Sequence, residues 1–274
     1  IGWKRPFEGK RKGYKADMEK NKFLIIALAV FLIVASIFFI FNRAVSPKAR
    51  VAFVIDDWGY NNKNIDLALQ IDRPITFSVL PNLRYSERIA KAVMGARGEI
   101  YDLILHLPLE SKSNRAAEVN TIRTGMSEEA ILSILQDEIE SLPGLIGVSS
   151  HQGSKGTEDE RVMRIVLKEL KKRKLFFVDS MTTSNSACPD IAKDIKLEFA
   201  ERDVFLDITD QTDKEHFDAY VKKQINELAS TALKNGSAIG VGHNIKVTLQ
   251  AIKDSISELE GMGIKIVPLR ELVK

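Results

Sequence analysis

The residues best suited to chemistry in this 274-residue chain stand where apolar runs end. Three of the four histidines end such runs, and three aspartates do the same. In chain order these residues are Asp57, His106, His151, Asp179, Asp207 and His243. If the runs are strands of a barrel-like α/β enzyme, side chains at their carboxyl ends share one rim, where the active sites of such enzymes lie. The pattern therefore predicts a functional site at that rim.

A carboxylate with two imidazoles is a common three-ligand set for a catalytic Zn²⁺ or a related divalent ion. A further carboxylate and histidine can then serve as general base and general acid. Asp56 and Asp57 can enter one pocket only if the chain turns at Asp57, because adjacent strand residues point to opposite faces, and Gly59 would permit that turn. The alternatives are a helix-capping turn at the aspartates and a hydrogen-bonded core histidine at His106. His216 lies among charges and is interpreted as a surface residue.

Short apolar runs rich in β-branched residues predict eight strands that are covered on both faces. They span residues 51–56, 75–80, 101–106, 145–150, 175–179, 204–208, 237–242 and 264–267. Helical periodicity fills most of the gaps, with Ser127, Thr157 and Asn244 as expected N-caps. This alternation predicts an α/β fold, a distorted (β/α) barrel, with an open doubly wound sheet as the alternative. No glycine-rich nucleotide-binding motif follows any strand, which counts against a nucleotide-binding version.

The N-terminal part has the character of a membrane anchor. Residues 23–41 contain no charged residue and are long enough for a transmembrane helix, with a cleaved signal as the alternative. Residues 1–22 hold eight Lys and Arg against three acidic residues. The positive-inside rule then predicts a basic cytoplasmic tail over 1–22, an inner-membrane anchor over 23–41, a linker over 42–50 and a periplasmic domain over 51–274. The remaining chain is nearly neutral, which gives no support for nucleic-acid binding, and the lone Cys188 excludes an internal disulfide framework.

Six segments in chain order resemble motifs of the divergent polysaccharide deacetylase family. They are VAFVIDDWGY, LILHLPLE, GVSSHQGS, LFFVDSMTT, RDVFLD and IGVGHN, and the resemblance covers roughly residues 50–272. It implies a distorted (β/α) barrel related to the carbohydrate esterases that remove N- or O-acetyl groups from cell-surface glycans. It also implies a divalent metal, with Zn²⁺ expected, and an acetylated polysaccharide or peptidoglycan-like glycan as partner.

The resemblance also implies roles for individual residues. Asp57 resembles the metal-binding aspartate of the family, and Asp56 resembles the neighbouring catalytic base. His151 is similar to a metal-binding histidine, and His243 is similar to the late histidine that acts as general acid. The implied reaction is attack of water on an acetyl group, with Asp56 taking the proton of the water and His243 protonating the leaving group.

Several positions depart from the family pattern. Members of the family commonly have a second metal-binding histidine where Lys155 stands. His106 stands at the end of a predicted strand, and from that position we infer that it replaces this histidine as the third metal ligand. An arginine commonly stands in place of Met181, and a proline in place of Asn244. Residues expected to orient the site or the substrate are Ser154, Asp179, Arg202 and Asp207. The rival interpretations are a glycan-binding envelope protein that has lost turnover and a hydrolase of a non-glycan amide.

Overall fold

The computed structural model describes residues 18, 22, 24–34, 47–96, 100–113, 117–210 and 213–274. The chain divides into two compact units, Ile1–Ser46 and Pro47–Lys274. In the first unit, residues 24–34 are helical and their side chains are exposed. Among all the described residues, no helix is both long and apolar enough to cross a bilayer. The rest of the 23–41 stretch and most of the basic tail lie outside the described residues, so the predicted anchor stays a prediction.

The second unit alternates strands and helices, as the sequence predicts. The strands are β1 (Ala49–Trp58), β2 (Ile75–Val79), β3 (Tyr101–Leu109), β4 (Gly147–Gln152), β5 (Phe176–Asp179), β6 (Phe199–Glu201), β7 (Val204–Phe205), β8 (Ser237–His243) and β9 (Ile264–Ile266). The helices are α1 (Ile65–Ala68), α2 (Ser86–Gly95), α3 (Glu128–Glu140), α4 (Glu160–Arg173), α5 (Cys188–Ile195), α6 (Lys214–Asn235), α7 (Lys246–Gly261) and a 3₁₀ helix (Leu269–Glu271). All eight predicted strands are present. The strand that apolar patterning missed is β6, whose residues are partly exposed.

The strands form one parallel sheet in the order β6-β5-β4-β3-β2-β1-β8-β7, with β9 beside the start of β1. The two edge strands, β6 and β7, are separated in the chain only by Arg202 and Asp203. A flat sheet of this order would hold its edges about 34 Å apart, since neighbouring strands are about 4.8 Å apart. Three Cα steps span at most about 11 Å. The sheet therefore curves round on itself, which is consistent with the predicted distorted barrel and does not fit an open doubly wound sheet.

Two residues close the gap between the edge strands. The backbone N–H of Arg202 donates to Asp179 O at the end of β5 (3.0 Å), and that of Asp203 donates to Ile239 O on β8 (2.9 Å). The Asp203 carboxylate also accepts from the Ile239 N–H at 2.7 Å. We call Arg202 and Asp203 the seam. It joins the two edges where, among the described residues, no strand ladder pairs β6 with β7.

The two faces of the sheet are buried by different partners. One face packs against the helices. On β1 this face carries Val51, Phe53 and Ile55, which belong to the same apolar cluster as residues of the helices. The other face encloses a smaller cluster that includes Ala52, Val54 and residues of the 3₁₀ helix. Because strand side chains alternate, the next residue on this interior face of β1 is Asp56. The barrel interior is therefore apolar in its lower layers and carries polar groups at the carboxyl ends of the strands.

One of the three predicted helix caps is confirmed. The Ser127 side chain accepts a hydrogen bond from the backbone at the start of α3. Thr157 does not cap α4; its hydroxyl donates to a loop carbonyl, and Asp159 is the N-cap. Asn244 is not the N-cap of α7 either, because that position is Ile245. In both wrong cases a residue closer to the helix takes the cap position.

Glu138 on α3 is a titratable residue in the core. Its side chain is buried, and both carboxylate oxygens lack a hydrogen-bond partner. Burial, with a smaller effect of Asp137, raises the pKa of Glu138 to about 8. In the unfolded chain Glu138 loses its proton at a lower pH than in the folded chain. The free energy of unfolding therefore decreases as pH rises from the ordinary glutamate range to about 8. We expect Glu138→Gln to abolish this loss, which is of order 4 kcal/mol.

Denaturant unfolding at pH 5 and pH 8 measures the effect. The free energy of unfolding of the variant should change less between the two pH values than that of the wild type. Glu140→Gln is the matched control, since Glu140 lies exposed on the same helix. Equal pH dependence in wild type and Glu138→Gln would contradict the prediction.

Candidate active site

A pocket of about 760 Å³ opens at the carboxyl ends of the strands. Seven of the residues singled out in the sequence line it: Asp56, Asp57, His106, His151, Ser154, Arg202 and His243. The other two, Asp179 and Asp207, lie behind it and hold residues of its wall. The structure thus brings the strand-end residues together at one rim.

The end of β1 places two adjacent carboxylates in this pocket. Asp57 has a left-handed backbone (φ 63°), and the pairing of β1 with β2 shifts register between Ile55 and Trp58. The turn brings Asp57 to the same side as Asp56, which a regular strand would prevent. Gly59 continues the turn with a φ of 127°, and a Cβ there would lie 2.8 Å from Ser86 Oγ. A side chain at Gly59 would therefore disturb the turn on which the site depends.

Asp57, His106 and His151 converge on one point. Asp57 Oδ1 lies 3.4 Å from His106 Nε2 and 3.2 Å from His151 Nδ1. Zn²⁺ bonds of about 2.0–2.1 Å in a tetrahedron place neighbouring ligand atoms about 3.3–3.4 Å apart. Asp57 Oδ1 is buried without a hydrogen-bond partner, as expected of an atom that faces a cation. The three residues therefore fit a divalent metal ion, and their donor set is suited to zinc.

The charge state of Asp57 agrees with this fit. Burial opposes ionisation of the carboxyl, but the imidazoles of His106 and His151 outweigh it and hold the pKa of Asp57 well below its usual range. An ionised carboxylate beside two imidazoles can bind a cation without first losing a proton. The imidazole rings of the two histidines meet edge to face, with centroids 4.7 Å apart.

Asp56 lies beside this group but points into the barrel. Its side chain is 3% exposed, and Oδ2 lies 3.7 Å from His106 Nε2. Burial raises the pKa of Asp56, against the opposing effects of two nearby histidines and the Ser78 hydroxyl. Asp56 Oδ1 is buried and has no hydrogen-bond partner, and the side chain lines the pocket. A carboxylate with a raised pKa is a better proton acceptor than an ordinary one.

His243 lies on β8 in register with Asp56 of the neighbouring strand β1, and Asp207 holds its side chain. The distance between His243 Nδ1 and Asp207 Oδ1 is 2.7 Å, and Asp207 Oδ2 accepts from the backbone N–H of His243 and from the Thr248 hydroxyl. Burial lowers the pKa of His243, but Asp207 outweighs it, and the pKa rises to about 9. His243 therefore carries a proton at neutral pH, which suits a proton donor.

The remaining predicted residues order the wall of the pocket. Asp179 accepts from the Met181 N–H at 2.8 Å and from the Ser186 hydroxyl, so it shapes the loop after β5. Arg202 donates to the backbone oxygens of Ser180 and Met181, and its guanidinium lies 3.7 Å over the Phe205 ring. This guanidinium lies beside the position where family members commonly carry an arginine.

Ser154 and Lys155 sit on the rim. Ser154 Oγ accepts from the backbone N–H of Lys112 at 3.0 Å, which ties two rim loops together. Lys155 Nζ pairs with Glu110 at 2.8 Å. Lys155 therefore takes no ligand position, and His106 stands in the metal group from another strand.

Some residues of the site were missed by sequence reasoning. Ser78 and Ser149 are buried hydroxyls under the metal group, and Thr248 supports Asp207. Phe205 stacks on His243 with ring centroids 6.2 Å apart. One sequence pattern could have identified Ser78. It is a small polar residue in an apolar strand, β2, at a position whose side chain points to the interior of the barrel.

Comparison with known proteins places this site in a family context. Residues 53–273 match the model of the family described as divergent polysaccharide deacetylase. The chain is 30% identical over 210 residues to the protein YibQ of Escherichia coli K12, covering 77% of this chain and 63% of that protein. It is 30% identical over 222 residues to a protein of Haemophilus influenzae, covering 79% of this chain and 76% of that protein.

A solved structure from Agrobacterium tumefaciens C58 shares the fold. It superposes with a TM-score of 0.75 at 24% identity, covering 84% of this chain and 91% of that one. The chain spans less than two thirds of the length of its E. coli relative. By the extent of the family match, this chain belongs to the divergent polysaccharide deacetylases.

Proposed function

We propose that this protein is a metal-dependent hydrolase that removes acetyl groups from an envelope polysaccharide or peptidoglycan-like glycan. The observation that carries the proposal is the convergence of Asp57, His106 and His151 beside two groups suited to proton transfer. Zn²⁺ is the expected ion, because two imidazoles and one carboxylate form a ligand set typical of catalytic zinc.

A bound divalent ion would supply Lewis acidity, polarising the acetyl carbonyl and making water acidic enough to attack it at neutral pH. Asp57, His106 and His151 would hold it. Asp56, which lines the pocket beside the metal group, takes the proton of the attacking water. His243, held protonated by Asp207, gives a proton to the leaving nitrogen or oxygen of the sugar. In this scheme His243 donates a proton and Asp56 accepts one.

Acetate release from acetylated glycans tests the proposal. The purified protein should release acetate, lose that activity on treatment with a chelator, and regain it when Zn²⁺ is added back. Measuring the free amine or hydroxyl on the glycan identifies the bond that is broken. Activity that a chelator leaves unchanged would contradict the metal-dependent mechanism.

A glycan-binding protein without turnover is the second candidate. Met181 and Asn244 stand where family members commonly carry an arginine and a proline, and this favours it. Arg202 supports turnover instead, because it brings a guanidinium to the loop that contains Met181.

We also propose that residues 23–41 anchor the chain in the inner membrane, with residues 1–22 in the cytoplasm and the second unit in the periplasm. The support is the uncharged stretch and its basic flank. In the full-length protein, the chain should stay in the membrane pellet after an alkaline wash. The domain should also be digested by protease added to spheroplasts. Recovery of the whole protein in the soluble fraction would overturn the anchor.

A further inference from the structure

Two serine hydroxyls form a buried chain behind His106. The Ser149 hydroxyl lies 2.8 Å from His106 Nδ1 and 2.7 Å from the Ser78 hydroxyl. All three side chains are buried. The two nitrogens of the imidazole therefore have different partners. Nε2 faces Asp57 in the metal group, and Nδ1 is hydrogen-bonded to Ser149 on the opposite side of the ring.

The same chain extends towards the carboxylate of Asp56. The Ser78 hydroxyl opposes the effect of burial on the pKa of the Asp56 carboxyl, so it lies close to that group. The four residues come from four neighbouring strands, β1 to β4, and all lie on the interior face of the barrel. A line of hydrogen-bonded polar side chains thus runs from His106 through Ser149 to Ser78, and Asp56 lies near its far end.

The hydrogens in this line can be counted from one end. A cation on His106 Nε2 requires the ring hydrogen to sit on Nδ1, because a neutral imidazole carries only one. Ser149 must then accept from Nδ1–H, and its own hydrogen is left for Ser78. Ser78 accepts from Ser149, and its own hydrogen can turn towards the nearby Asp56 carboxylate. The two recorded hydrogen bonds of the line therefore have one consistent arrangement of hydrogens when a cation is bound at Nε2.

From this geometry we propose that Ser78 and Ser149 are positioning residues that fix the tautomer of His106 and present its Nε2 to the metal. The inference rests on the proposed function in one respect, namely that Asp57, His106 and His151 bind a divalent ion. The Asp56 side chain lines the pocket near the other end of this line. Ser78 and Ser149 do not line the pocket, so they act on His106 while touching neither metal nor substrate.

The dissociation constant for Zn²⁺, measured by competition with a chromophoric chelator, tests the inference. Ser149→Ala should weaken zinc binding by about 10- to 100-fold, the usual effect of losing a hydrogen-bond partner of a metal ligand. Ser78→Ala should act in the same direction. The double variant should lose little more than Ser149→Ala alone, because Ser78 acts through Ser149. Ser149→Thr keeps the hydroxyl and should restore binding.

Thr76→Val is the matched control. Thr76 lies two residues before Ser78 on the same face of β2, is buried, and its hydroxyl has no hydrogen-bond partner. Its replacement should leave zinc affinity unchanged. Thermal unfolding of each variant separates a loss of folding from a loss of binding.

Nitrogen-15 NMR of the zinc-loaded wild type reads the tautomer directly and needs no variant. A slowly exchanging hydrogen on His106 Nδ1 supports the inference. Zinc affinity equal in Ser149→Ala and wild type overturns it while leaving the metal site intact. A hydrogen on Nε2 overturns it together with the assignment of His106 as a metal ligand. A wild type that binds no Zn²⁺ overturns the metal-dependent function itself, and the inference with it.

Discussion

Asp56→Asn is expected to lower the rate constant of acetate release by about 10²- to 10⁴-fold, the usual contribution of a general base. An amide has the shape of the carboxylate but cannot take a proton from water at neutral pH. The metal group does not include Asp56, so zinc affinity should change little. Steady-state kinetics and zinc titration on the same preparation measure both quantities.

The same variant separates an enzyme from a glycan-binding protein. If the wild type turns over and Asp56→Asn binds glycan without turnover, Asp56 acts in the chemical step. If both proteins bind glycan and neither releases acetate, the binding interpretation holds. Asp66→Asn, an exposed aspartate on α1, is the control for the loss of one charge.

His106→Ala is expected to weaken zinc binding by more than about 100-fold, because loss of a mere hydrogen-bond partner of a ligand costs 10- to 100-fold. The prediction depends on the Nε2 atom of His106, which lies 3.4 Å from Asp57 Oδ1. Acetate release should disappear with the metal. Atomic absorption of dialysed protein and a zinc titration measure the loss.

Lys155→Ala is the matched control for His106, because Lys155 stands where the family commonly has a second histidine of the same loop. Its ammonium pairs with Glu110 on the rim, so zinc affinity should stay at the wild-type value. A zinc affinity that falls in Lys155→Ala and survives in His106→Ala would reverse the assignment of the third ligand.

The strands were the most predictable part of the fold. Apolar runs such as residues 51–56 and 237–242 are buried on both faces, so their composition alone marks them. The sequence did not predict β6, because its residues are partly exposed at a sheet edge and show no apolar run. The predicted N-cap of α4 was wrong because Thr157 and Asp159 are both good cap residues. Which of them caps the helix depends on the path of the loop before it.

The site was predictable in its residues more than in its geometry. Strand ends identified His106 and His151, because a polar residue that closes an apolar run is conspicuous. The left-handed turn at Asp57 was recognisable from two adjacent carboxylates before a glycine. Ser78 and Ser149 could not be found this way, since a serine within a strand is common and its role depends on which hydroxyls meet across three strands.

The barrel wall should open more easily at the seam than between its other strands. Elsewhere around the barrel, neighbouring strands are joined by parallel ladders, whereas in the described residues the β6 and β7 edges meet only through Arg202 and Asp203. Backbone amides there should exchange with solvent sooner than those of β1 or β3. Arg202 also supports the loop after β5 and covers Phe205. Because Phe205 stacks on His243, local opening at the seam would widen the pocket on that side without unfolding the strands that carry Asp57, His106 and His151.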